Sequence, residues 1–197
     1  MITDYATLQT EIAAFAYRDD LTAKIPTFIQ LCEADMQVRC KLVDLESNAS
    51  IVLTAGVGPL PTGYTGARSV WYDGDQVREL KYITPNQLTA YDSLAGLPTY
   101  YTIIGTDIHV IPSATGTVKM TYKARFTALS STDTTNAILL KYPDAYLYGS
   151  LVQLAMYTKD ADTMTTSNAA YEAAIKRIKM DDTERRNGGA TLQVRAR

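Results

Sequence analysis

Apolar side chains recur at helical spacing near both ends of this chain and at strand spacing in its middle. Leu8, Ile12, Phe15 and Ala16 form one stripe of a first helix that ends at about Tyr17, with Thr3 or Asp4 as its cap. After the break at Arg18-Asp19-Asp20, Pro26 stands in the first turn of a second helix. Ile25, Phe28, Ile29, Cys32, Met36 and Cys40 carry its apolar face to about Val43, and Glu33, Asp35, Arg39 and Lys41 read as its wet face. From Leu45 to about Asp133 the texture changes to Thr, Val, Tyr and Gly. Six short strands are expected there, in SIVLT, RSVWYDG, QVRELKYI, TYYTIIG, DIHVIP and TVKMTYKARF, with DGDQ, LAGLP, GTD and SATGT as turns. Thr84 and Pro85 open a short helix over residues 84–94, and TAGVGPLPTGYTGAR reads as a flexible loop.

Helical spacing returns at Asn136, which caps AILLK, and Pro143 with Asp144 opens a tyrosine-bearing helix. Leu147, Leu151, Leu154 and Ala155 form one stripe of that helix, and Tyr148, Val152, Met156 and Tyr157 widen it beyond a single face. A helix apolar over most of its circumference is enclosed by more than one neighbour. A last helix runs from about Ala161 to Arg185, with Tyr171, Ala174, Ile175 and Ile178 at i, i+3, i+4 and i+7. Gly188 and Gly189 stop it, and beyond them Leu192 and Val194 alternate with polar residues. The fold class expected is α+β. Residues 1–45 and 136–186 make a helical bundle, 46–135 an inserted β-sandwich or small barrel, and 187–197 an extended C-terminal arm.

Composition adds a charge asymmetry. The net charge is −2, yet residues 176–197 hold seven Lys/Arg against three Asp/Glu. A basic tail on an acidic body suits an acidic partner, or simply a solvated tail. No stretch has the roughly 20 apolar residues of a membrane span. The N-terminus lacks the basic and apolar regions of a secretory signal. Cys32 and Cys40 lie about 12 Å apart along one helix, too far to bridge, and read as buried structural thiols in a reducing compartment.

Candidate chemistry is sparse. His109 is the only histidine, so a Ser-His-Asp triad would have to run through it, and a half-exposed strand position is the simpler reading. One His and two distant Cys supply no zinc set. The glycine-rich loop lacks the Gly-Lys-Ser/Thr ending of a phosphate cradle. The Asp pairs at 19–20 and 181–182 sit near helix ends, where adjacent carboxylates point about 100° apart and suit capping. No catalytic, metal or cofactor site is therefore expected. The 14 tyrosines are the positive feature. They suit half-wet protein contacts, and also sugar stacking, so a carbohydrate- or receptor-binding β module stays open.

The order LPTGYTGARSVWYDG, LKYITPNQLTAYDSLAGLPTYYTIIGTDIHVIP, MTYKARFTALSSTDTTNAILLKYPDAYLYGSLVQLAMYTKD resembles the podovirus-type head-to-tail adaptor (connector, or gatekeeper) proteins of tailed bacteriophages. Leu60-Pro61 leading to Ser69-Val70-Trp71, the turn from Gly96 to Tyr101, and Asn136, Tyr142-Pro143-Asp144 and Leu147-Tyr148 carry it. The resemblance implies a structural virion protein at the head–tail interface, made in the host cytoplasm and not an enzyme. Such adaptors form a ring, typically dodecameric, that docks on the portal protein and meets a downstream tail or nozzle protein. Double-stranded DNA passes through the lumen without sequence-specific binding. A different neck or tail structural protein is the near alternative. On this reading Tyr146, Tyr148, Leu151 and Tyr157 pack helices between subunits. Arg185, Arg186, Leu192, Val194, Arg195 and Arg197 bind the portal or a neighbouring copy.

Overall fold

The computed structural model of the chain describes residues 1–18, 20–74, 76–91 and 95–187. In chain order it runs α1 (Tyr5–Ala16), α2 (Ile25–Arg39), β1 (Glu46–Leu53), β2 (Val57–Pro59), β3 (Tyr64–Asp73), β4 (Arg78–Glu79) and β5 (Lys81–Tyr82). Then follow α3 (Leu88–Tyr91), β6 (Tyr100–Ile104), β7 (Asp107–Ile111), β8 (Gly116–Ala124), α4 (Ala137–Lys141), α5 (Pro143–Thr158) and α6 (Ala161–Asn187). The class is α+β. The chain divides into two compact units, residues 1–44 with 126–197, and residues 45–125.

In the helical unit, local sequence explains the ends of the helices. Asp4 caps α1 reciprocally with Thr7, and Asn136 caps α4 by accepting from the Leu139 N–H. α5 packs against α1, α2, α4 and α6. Ala145, Tyr146, Leu147, Leu151, Val152, Leu154 and Ala155 are all buried, which accounts for its wide apolar circumference. Gly149 makes this crossing possible, because a Cβ there would lie 2.3 Å from Cys32 Sγ and 2.9 Å from the Tyr171 ring. Leu8 and Ile12 of α1 are buried, whereas Phe15, in its last turn, is exposed. The segment 126–135, expected with the β insert, belongs to the helical unit. Its Phe126 and Leu129 are buried, and Gln37 Nε2 donates to the Phe126 carbonyl (2.9 Å).

The β unit holds two four-stranded sheets, ordered β1-β8-β3-β4 and β2-β7-β6-β5. Ile51, Val70, Tyr72 and Met120 from the first and Tyr101, Ile108 and Val110 from the second share one core. The sheets do not close into a barrel. Two sequence expectations change here. QVRELKYI is not one strand: β4 pairs with β3 and β5 with β6, and the buried Leu80 between them marks the change of sheet. Only partners distant in sequence could dictate that corner. The glycine-rich stretch, expected as a loop, contains β2, an edge strand on which Pro59 is tolerated. Gly58 is needed there, since a Cβ would meet Ile51 Cγ2 at 2.6 Å.

Candidate interaction surfaces

Tyr146 lies at the centre of a buried polar network in the helical unit. Its ring is 0% exposed, and its hydroxyl donates to Glu33 Oε1 (3.0 Å) while accepting from Asn136 Nδ2 (2.6 Å). Asn136 also donates to the Thr127 carbonyl (2.9 Å), and Glu33 Oε1 accepts from the Leu129 N–H (2.8 Å). One cap residue, one tyrosine and one carboxylate thus tie α2, α4, α5 and the segment before α4 together. Glu33 is 4% exposed, so the wet-face expectation fails for it. Its spacing from Ile25 and Ile29 placed it on the apolar stripe, which was the available signal. Burial raises the Glu33 pKa, and its two donors only partly offset this. Burial, first of all, also drives Tyr146 up.

A second polar cluster clasps the last turns of α6 to residues 41–44. Asp44 pairs with Lys141 and with Arg185 Nη1 (2.9 Å), and Arg185 Nε reaches Asp181 (3.1 Å). Arg186 pairs with Asp182 (2.7 Å) and donates to the Lys41 carbonyl (2.8 Å), while Asp182 accepts from the Val43 N–H (2.6 Å). The hydrogen bond to Lys141 is the main reason the Asp44 pKa falls below the carboxylate norm. Burial, followed by its bond to Asp181, pushes Tyr142 up to about 12. Asp181 and Asp182 act here as tertiary acceptors, which nothing local in the sequence announced.

The predicted contact residues separate. Tyr146 and Leu151 are enclosed by their own chain, so they offer no surface to a neighbouring subunit in this conformation. Tyr148 is half-buried, and Tyr157 is 56% exposed with its ring 5.6 Å from that of Phe28. Arg185 and Arg186 already hold carboxylates of their own chain. Gly188, Gly189, Leu192, Val194, Arg195 and Arg197 lie outside the described residues. Other apolar side chains reach solvent on the helical unit. Leu31 and Val38 stand seven residues apart on one face of α2, and Met156 lies beside Tyr157.

On the β unit the outer face of β1, β8 and β3 is polar, with Asn48, Ser50, Ser69, Lys119 and Thr121 around Trp71, which is 40% exposed. His109 is half-buried between the buried Ile108 and Val110. Among the described residues no group of three or more His, Cys, Asp and Glu is placed to hold a metal ion, and no helix is long and apolar enough to cross a membrane.

No curated protein matches the chain. The model of the SU10 adaptor protein family matches residues 3–195, which spans the helices, the two-sheet unit and the stretch after α6. The motif order that resembled a head-to-tail adaptor therefore has its explanation: the chain belongs to the SU10 adaptor protein family, a family of phage adaptor proteins.

Proposed function

We propose that this chain is a structural, non-enzymatic head-to-tail adaptor of the virion. It forms a ring of twelvefold type, docks on the portal and continues the DNA channel toward a downstream tail protein. The observation that carries this reading is the family match over residues 3–195, which takes in both compact units rather than one. The exposed apolar side chains of the helical unit, Leu31, Val38, Met156 and Tyr157, support a subunit contact, and Tyr148 is half-buried. Residues 1–175 carry more Asp/Glu than Lys/Arg, and such a body lets DNA slide, because clustered cations would grip phosphate. The arm, residues 187–197, supplies docking onto the portal or the next copy, and repetition around a ring multiplies small contributions from each arm.

Co-sedimentation with the phage's portal tests the proposal. The full chain is expected to sediment with portal. A chain lacking residues 187–197 should stay behind while keeping its helical spectrum and melting temperature. A full chain that never binds portal overturns the adaptor reading. A truncated chain that binds at full stoichiometry overturns the role of the arm.

One observation favours a second reading. Trp71 on a polar sheet face is suited to stacking on a sugar ring, so the β unit would serve as a receptor- or carbohydrate-binding module. Glycan-array binding that is lost in Trp71→Ala would establish it.

A further inference from the structure

The helical unit contains a cavity between α1, α2 and the segment 128–134. Tyr5, Gln9, Gln30 and Ser130 are among its lining residues, and so is the buried Glu33. Both hydrogen bonds that Glu33 accepts fall on Oε1. Among the described residues Oε2 receives no donor and opens to the cavity instead of being sealed in, no cation pairs with the carboxylate, and no Lys, Arg or His lines the cavity. A carboxylate buried without counter-charge is costly, and that cost is relieved if a cation arrives with its own donors. The raised pKa of Glu33, caused by burial, is the electrostatic expression of the same deficit.

We propose that this cavity receives the C-terminal arm of a second copy of the chain, with the guanidinium of Arg195 or Arg197 on the free oxygen of Glu33. The inference rests on the reading of the arm as a docking element and names its receptor. The ten residues after Asn187 are GGATLQVRAR, which extended can reach about 35 Å. Leu192 and Val194 match the apolar part of the lining, Ala6, Pro26 and Ala128, and the arginines match its charge. Arginine stays charged when it leaves water and is more weakly hydrated than lysine, which suits a single free oxygen of a largely buried carboxylate. The clasp of Arg185 and Arg186 on residues 41–44 fixes the start of the arm beyond the C-terminal end of α2. The cavity borders Pro26 and Thr27, in the first turn of the same helix. Arm and receptor are different patches of the same chain, so their contact is head-to-tail, the kind that closes into a ring when the rotation between copies allows it.

A synthetic peptide of residues 186–197, titrated into the full chain by calorimetry, tests this. Binding is expected, weakened about ten- to hundredfold by Glu33→Gln and equally by replacing both peptide arginines with glutamine. If Glu33→Gln fails to fold, the arginine-free peptide against the unaltered chain decides alone. Absence of binding, or binding indifferent to the arginines, overturns the proposal. So does refusal of the peptide by the monomeric full chain when a chain carrying Arg195→Gln and Arg197→Gln accepts it, since the arm would then fill its own cavity. Portal docking that depends on the arm, without peptide binding, overturns this inference and leaves the adaptor reading standing. Peptide binding with arm-independent portal docking does the reverse for the role of the arm on the portal.

Discussion

Replacing Gly149 by alanine tests the packing that joins α2, α5 and α6. The added Cβ would stand 2.3 Å from Cys32 Sγ and 2.9 and 3.1 Å from two Tyr171 ring carbons. Ordinary carbon contacts lie at about 3.5–4.0 Å, so these neighbours must retreat by roughly an ångström or the helices must part. Neither neighbour is free to move. Tyr171 donates to Asp35 Oδ2 (2.6 Å) and carries the Arg39 guanidinium 5.4 Å above its ring, while Cys32 is buried. Overpacking of this kind costs about 1–3 kcal/mol, and exchanging glycine for alanine in a helix returns about 1 kcal/mol. An approach of 2.3 Å puts the cost at the upper end, about 2–3 kcal/mol, so the expected net loss is about 1–2 kcal/mol, or a melting temperature lower by roughly 2–8 °C for a chain of this size. Urea and thermal melts followed at 222 nm report the helical unit selectively. Adding Cys32→Ala removes the nearest clash, so the double variant should recover about 1 kcal/mol relative to the sum of the single losses. A Gly149→Ala chain as stable as the native one, or strictly additive losses, would show that the crossing is not sterically closed.

Four further outcomes are expected. Below pH 4.5, the ordinary Glu33 value, its carboxyl is protonated whether the chain is folded or not; as pH rises through its raised folded value, stability is lost. Glu33→Gln should therefore gain on the native chain from about pH 4.5 upward in urea melts, and a gap that is flat with pH would refute this. Burial pushes Cys40 up to about 11 and raises Cys32 as well, so Ellman's reagent at neutral pH should label the native chain far more slowly than the denatured one. The Cys32→Ala/Cys40→Ala variant should assemble normally with modest destabilisation, and prompt native labelling would contradict the buried placement. Glu46 faces Lys123 in the β1–β8 ladder, so the chain enters and leaves the β unit at positions about 5 Å apart. A short Gly-Ser linker in place of residues 45–125 should leave a cooperatively melting helical protein that still docks on portal. An unfolded product would show that the helical unit depends on the insert.

What the sequence determined by itself is what local geometry encodes. The Ile25-to-Cys40 stripe, the Asn136 cap, the Pro143 start and the broad apolar circumference of α5 all follow from contacts within a few residues, where helical periodicity and capping act. The same pattern, read for chemistry, held motifs enough to suggest the adaptor family. Tertiary structure alone decided the rest. QVRELKYI became two strands of different sheets because β3 and β6, not its neighbours in sequence, supply the hydrogen-bonding edges. The spacing of Glu33 put it on the Ile25–Ile29 stripe, but its donors there, Leu129 and Tyr146, come from roughly a hundred residues away. Arg185 and Arg186, free cations by sequence, were taken up by Asp44, Asp181 and Asp182 once α6 lay against residues 41–44. A polar side chain reports its own chemistry in the sequence, but its burial and its partner depend on elements that meet only when the chain has folded.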